Sequence, residues 1–315
     1  MVNLVLTSKC NRKCDYCFAK EIDDEDITYF SLEAYEETLN YLDDSNIANA
    51  RLLGGEPTLH PQFLTMLDKA LNRDKHVTIF TGGVLSQRII NALHERTGNN
   101  FDLLVNVIYP FEGGLAKRQR GLMKRLGPHC LLGVNIEHPG IELNSLLDLH
   151  EQYELIPKIR LGLAHPNLIG NNSFIHPKHY PEVGRRIENF AYRADEKGIK
   201  IEFDCGWTPC MFSEEAISFF GDMLGKRCSP ILDILPDNTV IHCFPLRNHP
   251  MAKTSLESPA PTLRKQLSEK IESWRTATIY QRCETCNWYI NQRCTGGCLA
   301  MAIRRQTATA ENNLQ

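Results

Sequence analysis

Three cysteines, Cys10, Cys14 and Cys17, are spaced C-x-x-x-C-x-x-C directly after a short apolar run from Leu4 to Thr7. A loop of this length folds back on itself and places three thiolates around one inorganic centre. No fourth cysteine lies nearby. An iron–sulfur cubane normally takes four thiolates, so a three-thiolate loop leaves one iron for a ligand that is not protein, and that open iron is where chemistry can occur. A zinc site or three buried thiols are the other uses of such residues. Structural zinc, however, wants a closed set of four ligands, which this spacing does not supply locally.

A second group is larger. Eight of the twelve cysteines fall between Cys205 and Cys298. Cys228 and Cys243 bracket a turn signal, Pro236-Asp237-Asn238, in which asparagine tolerates the left-handed conformation. Cys283-x-x-Cys286 then precedes Cys294-Thr295-Gly296-Gly297-Cys298, and Cys205 and Cys210 stand upstream. Eight thiolates suffice for two more 4Fe–4S clusters, whereas the last four alone can also be read as a zinc ribbon. Cys130 belongs to neither group. At the start of a strand it is expected to be a small buried hydrophobe.

The elements that must position these residues alternate up to about residue 204. Strands are expected near 50–54, 76–81, 103–109, 131–137, 159–164 and 199–203, and helices near 31–43, 62–73, 85–96, 114–125, 143–154 and 179–197. Short β-branched runs alternating with amphipathic stretches predict a parallel sheet with crossover helices. Working residues then belong at the C-terminal strand ends. Gly54-Gly55-Glu56-Pro57 ends the second strand, and paired glycines let backbone approach a ligand closely. Thr81-Gly82-Gly83 ends the third. Asn106, Asn135 and Glu137 interrupt apolar runs near the ends of the fourth and fifth, where each needs a partner: a ligand, or neighbouring backbone. His165 and Asn167, after the sixth, read as loop caps. The alternation stops at residue 205, which divides the chain into 1–204 and 205–315.

With 35 basic and 38 acidic residues and no long basic run, nothing marks a nucleic-acid or anionic-membrane surface. No apolar stretch approaches a membrane span and no signal peptide is evident, so a cytoplasmic location is expected. Twelve cysteines in that compartment argue for metal or cluster ligation rather than disulfides.

The cysteine loop resembles that of the radical S-adenosylmethionine (SAM) superfamily, and Gly54-Gly55-Glu56 resembles its G-G-E motif. The resemblance implies a partial (β/α)6 TIM-like barrel followed by a small cysteine-rich iron–sulfur domain. It also implies SAM chelated to the open iron and cleaved to a 5'-deoxyadenosyl radical that abstracts hydrogen from a substrate. Tyr16 matches the position of an aromatic set against the adenine, with loop packing as its other reading. Gly54, Gly55 and Glu56 would accept from the SAM ammonium, and Asn106 and Asn135 would meet its ribose or carboxylate. Thr81-Gly82-Gly83 lacks the asparagine of the family's T-N-G.

Residues 205–298 resemble the SPASM extension, C-x(9–15)-G-x(4)-C followed by C-x(2)-C-x(5)-C-x(3)-C and often a last cysteine. Here Asn238 replaces the glycine, seven residues separate Cys286 from Cys294, and no cysteine follows Cys298. By resemblance, Cys228, Cys243 and Cys298 with Cys205 or Cys210 would hold a first auxiliary cluster. Cys283, Cys286 and Cys294 would lead a second, which either lacks a fourth protein ligand or takes Cys205.

Most relatives of this type modify peptides or protein side chains by crosslinking, oxidation or epimerisation. That is the expected activity, with a small-molecule dehydrogenase and a non-catalytic iron–sulfur or zinc protein as alternatives. No catalytic base or hydrogen donor is identified. Phe244 stands where sulfatase-maturing relatives carry a carboxylate, which disfavours a formylglycine-generating role. Because the sequence opens on the first barrel strand, a peptide substrate is expected to need a separate leader-binding protein or short direct contacts, together with an electron donor such as flavodoxin or ferredoxin.

Overall fold

The computed structural model describes residues 2–19, 27–169, 172–225 and 228–312, with side chains to 307. Seven parallel strands, β1 (Asn3–Thr7), β2 (Asn49–Gly54), β3 (His76–Thr81), β4 (Phe101–Asn106), β5 (Cys130–Ile136), β6 (Lys158–Leu163) and β7 (Lys200–Phe203), lie side by side in sequence order. Six helices make the crossovers: α1 (Leu32–Asp44), α2 (Phe63–Leu71), α3 (Gln87–His94), α4 (Gly113–Leu126), α5 (Asn144–Tyr153) and α6 (Tyr180–Glu196). Each places an apolar stripe on the outer face of the sheet, so that Tyr35, Leu39, Met66, Leu93, Leu122, Leu146 and Ile187 are fully buried against Leu4, Leu52, Ile79, Leu103, Leu132 and Ile159. Ser31 caps α1 by accepting from the Ala34 amide at 3.0 Å.

Alternate residues on the inner face are of another kind. Arg51, Phe80, Asn106, Gly133, Asn135, Arg160, Gly162 and Asp204 project into the barrel. The Arg51 and Arg160 guanidiniums stand 5.9 and 5.5 Å from the Phe80 ring centre. Asp204 binds Arg160 through both carboxylate oxygens, one accepting from Nε at 2.7 Å. A closed barrel fills its interior with branched aliphatic side chains. This one is polar inside because it does not close: the outer edge of β1 pairs with β8 (Asp233–Ile234) and not with β7.

Two antiparallel strands, β9 (Thr239–Ile241) and β10 (Lys253–Ser255), follow β8 and complete a ten-stranded sheet of order β10-β9-β8-β1-β2-β3-β4-β5-β6-β7. The expected alternation up to β7 agrees with the structure. Strands β8 to β10, which the sequence reading omitted, extend the barrel sheet from within the cysteine-rich region. Two- and three-residue strands carry no readable alternation. The remaining helices are α7 (Glu214–Phe220), α8 (Ala260–Lys270), α9 (Asn287–Ile290) and α10 (Leu299–Asn312). Cys130 opens β5 with no exposed surface, and burial pushes its thiol up to about 12.

Candidate active site and cysteine clusters

The loop carrying Cys10, Cys14 and Cys17 leaves the C-terminal end of β1 and is closed by Cys17 N–H donating to the Cys14 carbonyl at 3.1 Å. Desolvation raises the Cys10 thiol most; the Arg12 amide, donating to its sulfur at 3.4 Å, opposes this, and the charges of Glu56, Cys14 and Cys17 raise it further.

The ends of β1 and β2 are laced together. Gly55 N–H donates to the Thr7 carbonyl and Glu56 N–H to that of Lys9, both at 2.8 Å. A β-carbon on Gly54 would lie 2.3 Å from the Thr7 oxygen, and one on Gly55 would lie 2.3 and 2.5 Å from the oxygens of Lys9 and Ser8. Backbone crowding from the strand that feeds the cysteine loop therefore demands these glycines, whether or not a ligand is bound.

The Glu56 carboxylate is 1% exposed and already engaged. One oxygen accepts from the Thr58 hydroxyl and amide at 2.7 and 3.2 Å, the other from the Thr81 hydroxyl and Gly82 amide at 2.8 and 2.9 Å. This places Glu56 as a strut between β2 and β3 and leaves the backbone carbonyls beside it as the acceptors for a cation.

Two residues that the sequence reading missed stand opposite. Arg12 reaches from the cysteine loop to the carbonyls of Asn106 and Gly82, at 2.9 and 3.4 Å, and Gln119 of α4 donates to the same two at 2.9 and 2.8 Å. A β-carbon on Gly82 would lie 2.6 Å from Arg12 Cδ. The arginine thus occupies the space beside the position where relatives carry asparagine, and the glycine there was the signal that could have revealed it.

Tyr16 and Asn135 are brought together. The Tyr16 phenol is half-buried; desolvation first and then the charge of Cys14 raise its pKa strongly, against Arg12 and an Asn135 side chain within hydrogen-bonding reach. The Asn106 side-chain carbonyl is buried and has no partner among the described residues, while Gly133 keeps the space beside it clear: a β-carbon there would lie 2.8 Å from Asn106 Oδ1. Asn167 closes its own loop through its amide, which donates to Asn172 Oδ1 at 2.9 Å, and its side chain donates across to the Phe18 carbonyl at 3.4 Å. His165 does not. Its Nε2 sits 3.3 Å from the Cys205 carbonyl.

The eight C-terminal thiols sort into two sets of four. Burial first, then the neighbouring thiols of Cys228, Cys205 and Cys298, raises Cys243. Cys205 is exposed at the surface, and its thiol is raised by the desolvation of its protein-facing side and by Cys298 and Cys228, against the nearby His165. In the other set, burial and then Cys210, Cys283 and Cys286 raise Cys294, opposed by the Gly296 amide donating to its sulfur at 3.4 Å. Cys283 in turn feels Cys210 and Cys286.

Cys210 lies in a 3₁₀ turn, Pro209–Met211, just past Cys205, and the turn separates the two. Gly296 and Gly297, with φ of 78° and 89°, turn the chain so that Cys294 joins one set and Cys298 the other. A β-carbon on either glycine would meet Thr278 or Ile279 within 2.8 Å. The last four cysteines are therefore not one four-ligand site. Amides at the start of α10 point at the first set: Leu299 to Cys228, Ala300 and Met301 to Cys298. Among the described residues no three or more His, Cys, Asp or Glu side chains converge as a single ion would need. Asn238 has φ 62°, the left-handed conformation expected of a glycine substitute.

Residues 4–120 match the family model of the Radical SAM superfamily. Over that span the chain is similar to radical SAM proteins. It is 31% identical over 83 residues to the antilisterial bacteriocin subtilosin biosynthesis protein AlbA of Bacillus subtilis, covering 26% of this chain and 18% of AlbA. It is 32% identical over 200 residues to the tungsten-containing aldehyde ferredoxin oxidoreductase cofactor-modifying protein of Pyrococcus furiosus, covering 61% of this chain and 49% of that protein. The fold of Streptococcus suis SuiB bound to SAM superposes with a TM-score of 0.70 at 17% identity, over 95% of this chain and 72% of SuiB. Native anSMEcpe with bound AdoMet gives 0.62 at 16%, over 95% of this chain and 89% of that one. The fold is thus that of the SuiB and anSMEcpe partial barrels; the cofactors of radical SAM proteins are a 4Fe–4S cluster and SAM. The residues suit both: three thiols on one loop, with the charges of Cys14 and Cys17 acting on Cys10, and a buried Asn106 side-chain oxygen without a partner among the described residues.

Proposed function

We propose that this protein is a radical SAM enzyme that modifies a peptide or protein side chain, with residues 1–204 as the catalytic barrel and 205–315 as a SPASM-type auxiliary cluster domain. The observation that carries this reading is the sorting of the eight C-terminal thiols into two sets of four, apart from the three-thiol loop.

When bound, the loop cluster and SAM supply the 5'-deoxyadenosyl radical that takes a hydrogen atom from the substrate. The chain's own residues hold and orient. Cys10, Cys14 and Cys17 would ligate three irons; the carbonyls at Gly54 and Gly55 would accept from the SAM ammonium, an interaction strengthened by charge; Asn106, Tyr16 and Asn135 would line the nucleoside. Arg12 and Gln119 fix the β3 and β4 ends against the loop. Cys205, Cys228, Cys243 and Cys298 would hold one auxiliary cluster, and Cys210, Cys283, Cys286 and Cys294 a second. Such clusters offer an acceptor for the electron released when a substrate radical is oxidised, which zinc, having no redox chemistry, does not.

The peptide substrate is supported by the fold shared with SuiB, whose structure with the precursor peptide SuiA gives a TM-score of 0.69, and by the match to AlbA. We include in the proposal a separate leader-binding protein and a flavodoxin- or ferredoxin-type electron donor. Anaerobically reconstituted and reduced, the protein is expected to convert SAM to 5'-deoxyadenosine and methionine, and Cys14→Ala to lose this entirely. Full turnover in that variant, with its iron intact, would remove the loop as the site.

A further inference from the structure

The charges on the inner face of the barrel do not balance. Lys158 pairs with Glu202 at 3.0 Å, and both oxygens of Asp204 are spent on Arg160. Arg51 of β2 is left over. Among the described residues no carboxylate or other acceptor meets its guanidinium, which rests against the Phe80 ring, 5.9 Å from the ring centre. A ring face attracts the flat cation and leaves the donors on its N–H edge unspent. The Arg160 guanidinium stands 5.5 Å from the centre of the same ring, so two cations are brought together there. Burial first, and then the charge of Arg160, lower the Arg51 pKa, against Asp204 and Glu202.

The space in front of these cations is open. Arg160 and Asp204 keep 25% and 30% of their side-chain surface exposed, although they lie on the inner face of the sheet. The inward positions beside and above Arg160 are glycines, Gly133 and Gly162. A β-carbon on Gly162 would lie 2.9 Å from Asp204 Oδ2 and from Asn135 Oδ1, and one on Gly133 would lie 2.8 Å from Asn106 Oδ1. Asn135 is in turn within reach of Tyr16 on the cysteine loop. A cleared strip therefore joins the cation layer to the barrel mouth. Arg51 stands three residues before Gly54, about 10 Å down the strand at roughly 3.3 Å per residue.

We propose that Arg51, with Arg160 beside it, forms a specificity-determining carboxylate site inside the barrel, and that its occupant is an acidic side chain of a peptide substrate. The choice of a peptide rests on the function proposed above. A guanidinium and a carboxylate match edge to edge through two charge-assisted N–H···O bonds. One excess cation is balanced by one monoanion, whereas a phosphate dianion would leave a negative charge over. Held at this depth, the acid fixes which part of the substrate reaches the mouth.

The first arm of the test needs neither cofactor nor substrate. A half-buried cation without a counter-ion costs stability, so the urea midpoint of full-length Arg51→Met is expected at or above that of the native chain. A lower midpoint overturns the proposal, because Arg51 would then be serving the fold. The second arm uses saturation-transfer NMR on the anaerobically reconstituted full chain with SAM present throughout, and three probes: N-acetyl-Ala-Glu-Ala amide, N-acetyl-Ala-Gln-Ala amide and glutarate. The Glu peptide is expected to bind about tenfold more tightly than the Gln peptide, the scale of a lost hydrogen bond to a charged group. Arg51→Met should erase that preference and Arg51→Lys should keep part of it. Equal binding of the two peptides by the native chain, or an unchanged preference in Arg51→Met, overturns the proposal. Glutarate bound where neither peptide binds supports the carboxylate site and assigns it to a small-molecule acid, so that the peptide reading fails and the site does not.

Discussion

The Thr81 hydroxyl donates to the Glu56 carboxylate at 2.8 Å, tying the C-terminal end of β3 to that of β2. Because three other donors share the same carboxylate, the glutamate of the G-G-E motif acts here on the protein. Removing it strands buried donors at the mouth of the barrel. Glu56→Ala is expected to cost on the order of 3 kcal/mol of stability, in the range for a buried charged group that loses its hydrogen bonds, measured as a lower urea midpoint of the apoprotein. Were the carboxylate held for the SAM ammonium, the variant would lose SAM affinity with its apo stability unchanged.

Gly55 leads to a related expectation with a different readout. Its missing β-carbon leaves space for the backbone of Ser8 and Lys9, the residues that lead into Cys10. Gly55→Val should therefore displace the cysteine loop and lower loop iron as well as SAM binding. Iron per chain, measured after reconstitution of a background in which Cys283, Cys286, Cys294, Cys205, Cys228 and Cys243 are replaced by alanine, decides the point. A variant that keeps about four irons and fails only to bind SAM would return these glycines to a ligand-approach role.

The barrel was legible because short strand runs with an apolar face alternate with amphipathic helices and are bounded by turn residues, and the cysteine spacing announced both cysteine-rich regions. What stayed hidden was created by tertiary contact. Arg12 meets Gly82 across seventy residues of sequence, and no periodicity marks it. Strand β8 has two residues, and its partner Asn3 can be known only from the sheet. Glu56 carries the same letter whether it binds a ligand or braces two strands. The fates of Cys205 and Cys210 are set by the 3₁₀ turn that carries Cys210, a matter of dihedral angles that spacing does not encode.

That turn makes the assignment of the eight thiols testable by counting. With Cys10, Cys14 and Cys17 replaced by alanine, the chain should retain about eight irons if both sets hold cubanes. Cys205→Ala and Cys210→Ala in that background should each destabilise a different cluster, and together should lose both. If the two cysteines served one cluster, the double variant would keep about four irons, and the sorting would be wrong.

Asp233 joins β8 to the barrel and gives stability a pH dependence outside the cysteine sites. It is 2% exposed and accepts from the Asn3 amide at 2.6 Å. Burial pushes its carboxyl up to about 7, against the hydrogen bonds from Asn3 and the Phe244 amide. The Asn3 carbonyl beside it is buried without a donor among the described residues, so the protonated acid suits this pair better than the carboxylate. A carboxyl whose folded value exceeds its unfolded value of about 4 binds protons more tightly when folded. Its contribution is fully present below about pH 4 and is lost as pH rises through 7. The native chain should therefore be less stable at pH 8 than at pH 6, by about 1 kcal/mol from this group. Asp233→Asn, which keeps the shape and cannot ionise, should remove that difference. Urea denaturation of both proteins at the two pH values measures it, and an equal pH dependence in the two would show that Asp233 is ionised in the folded chain throughout.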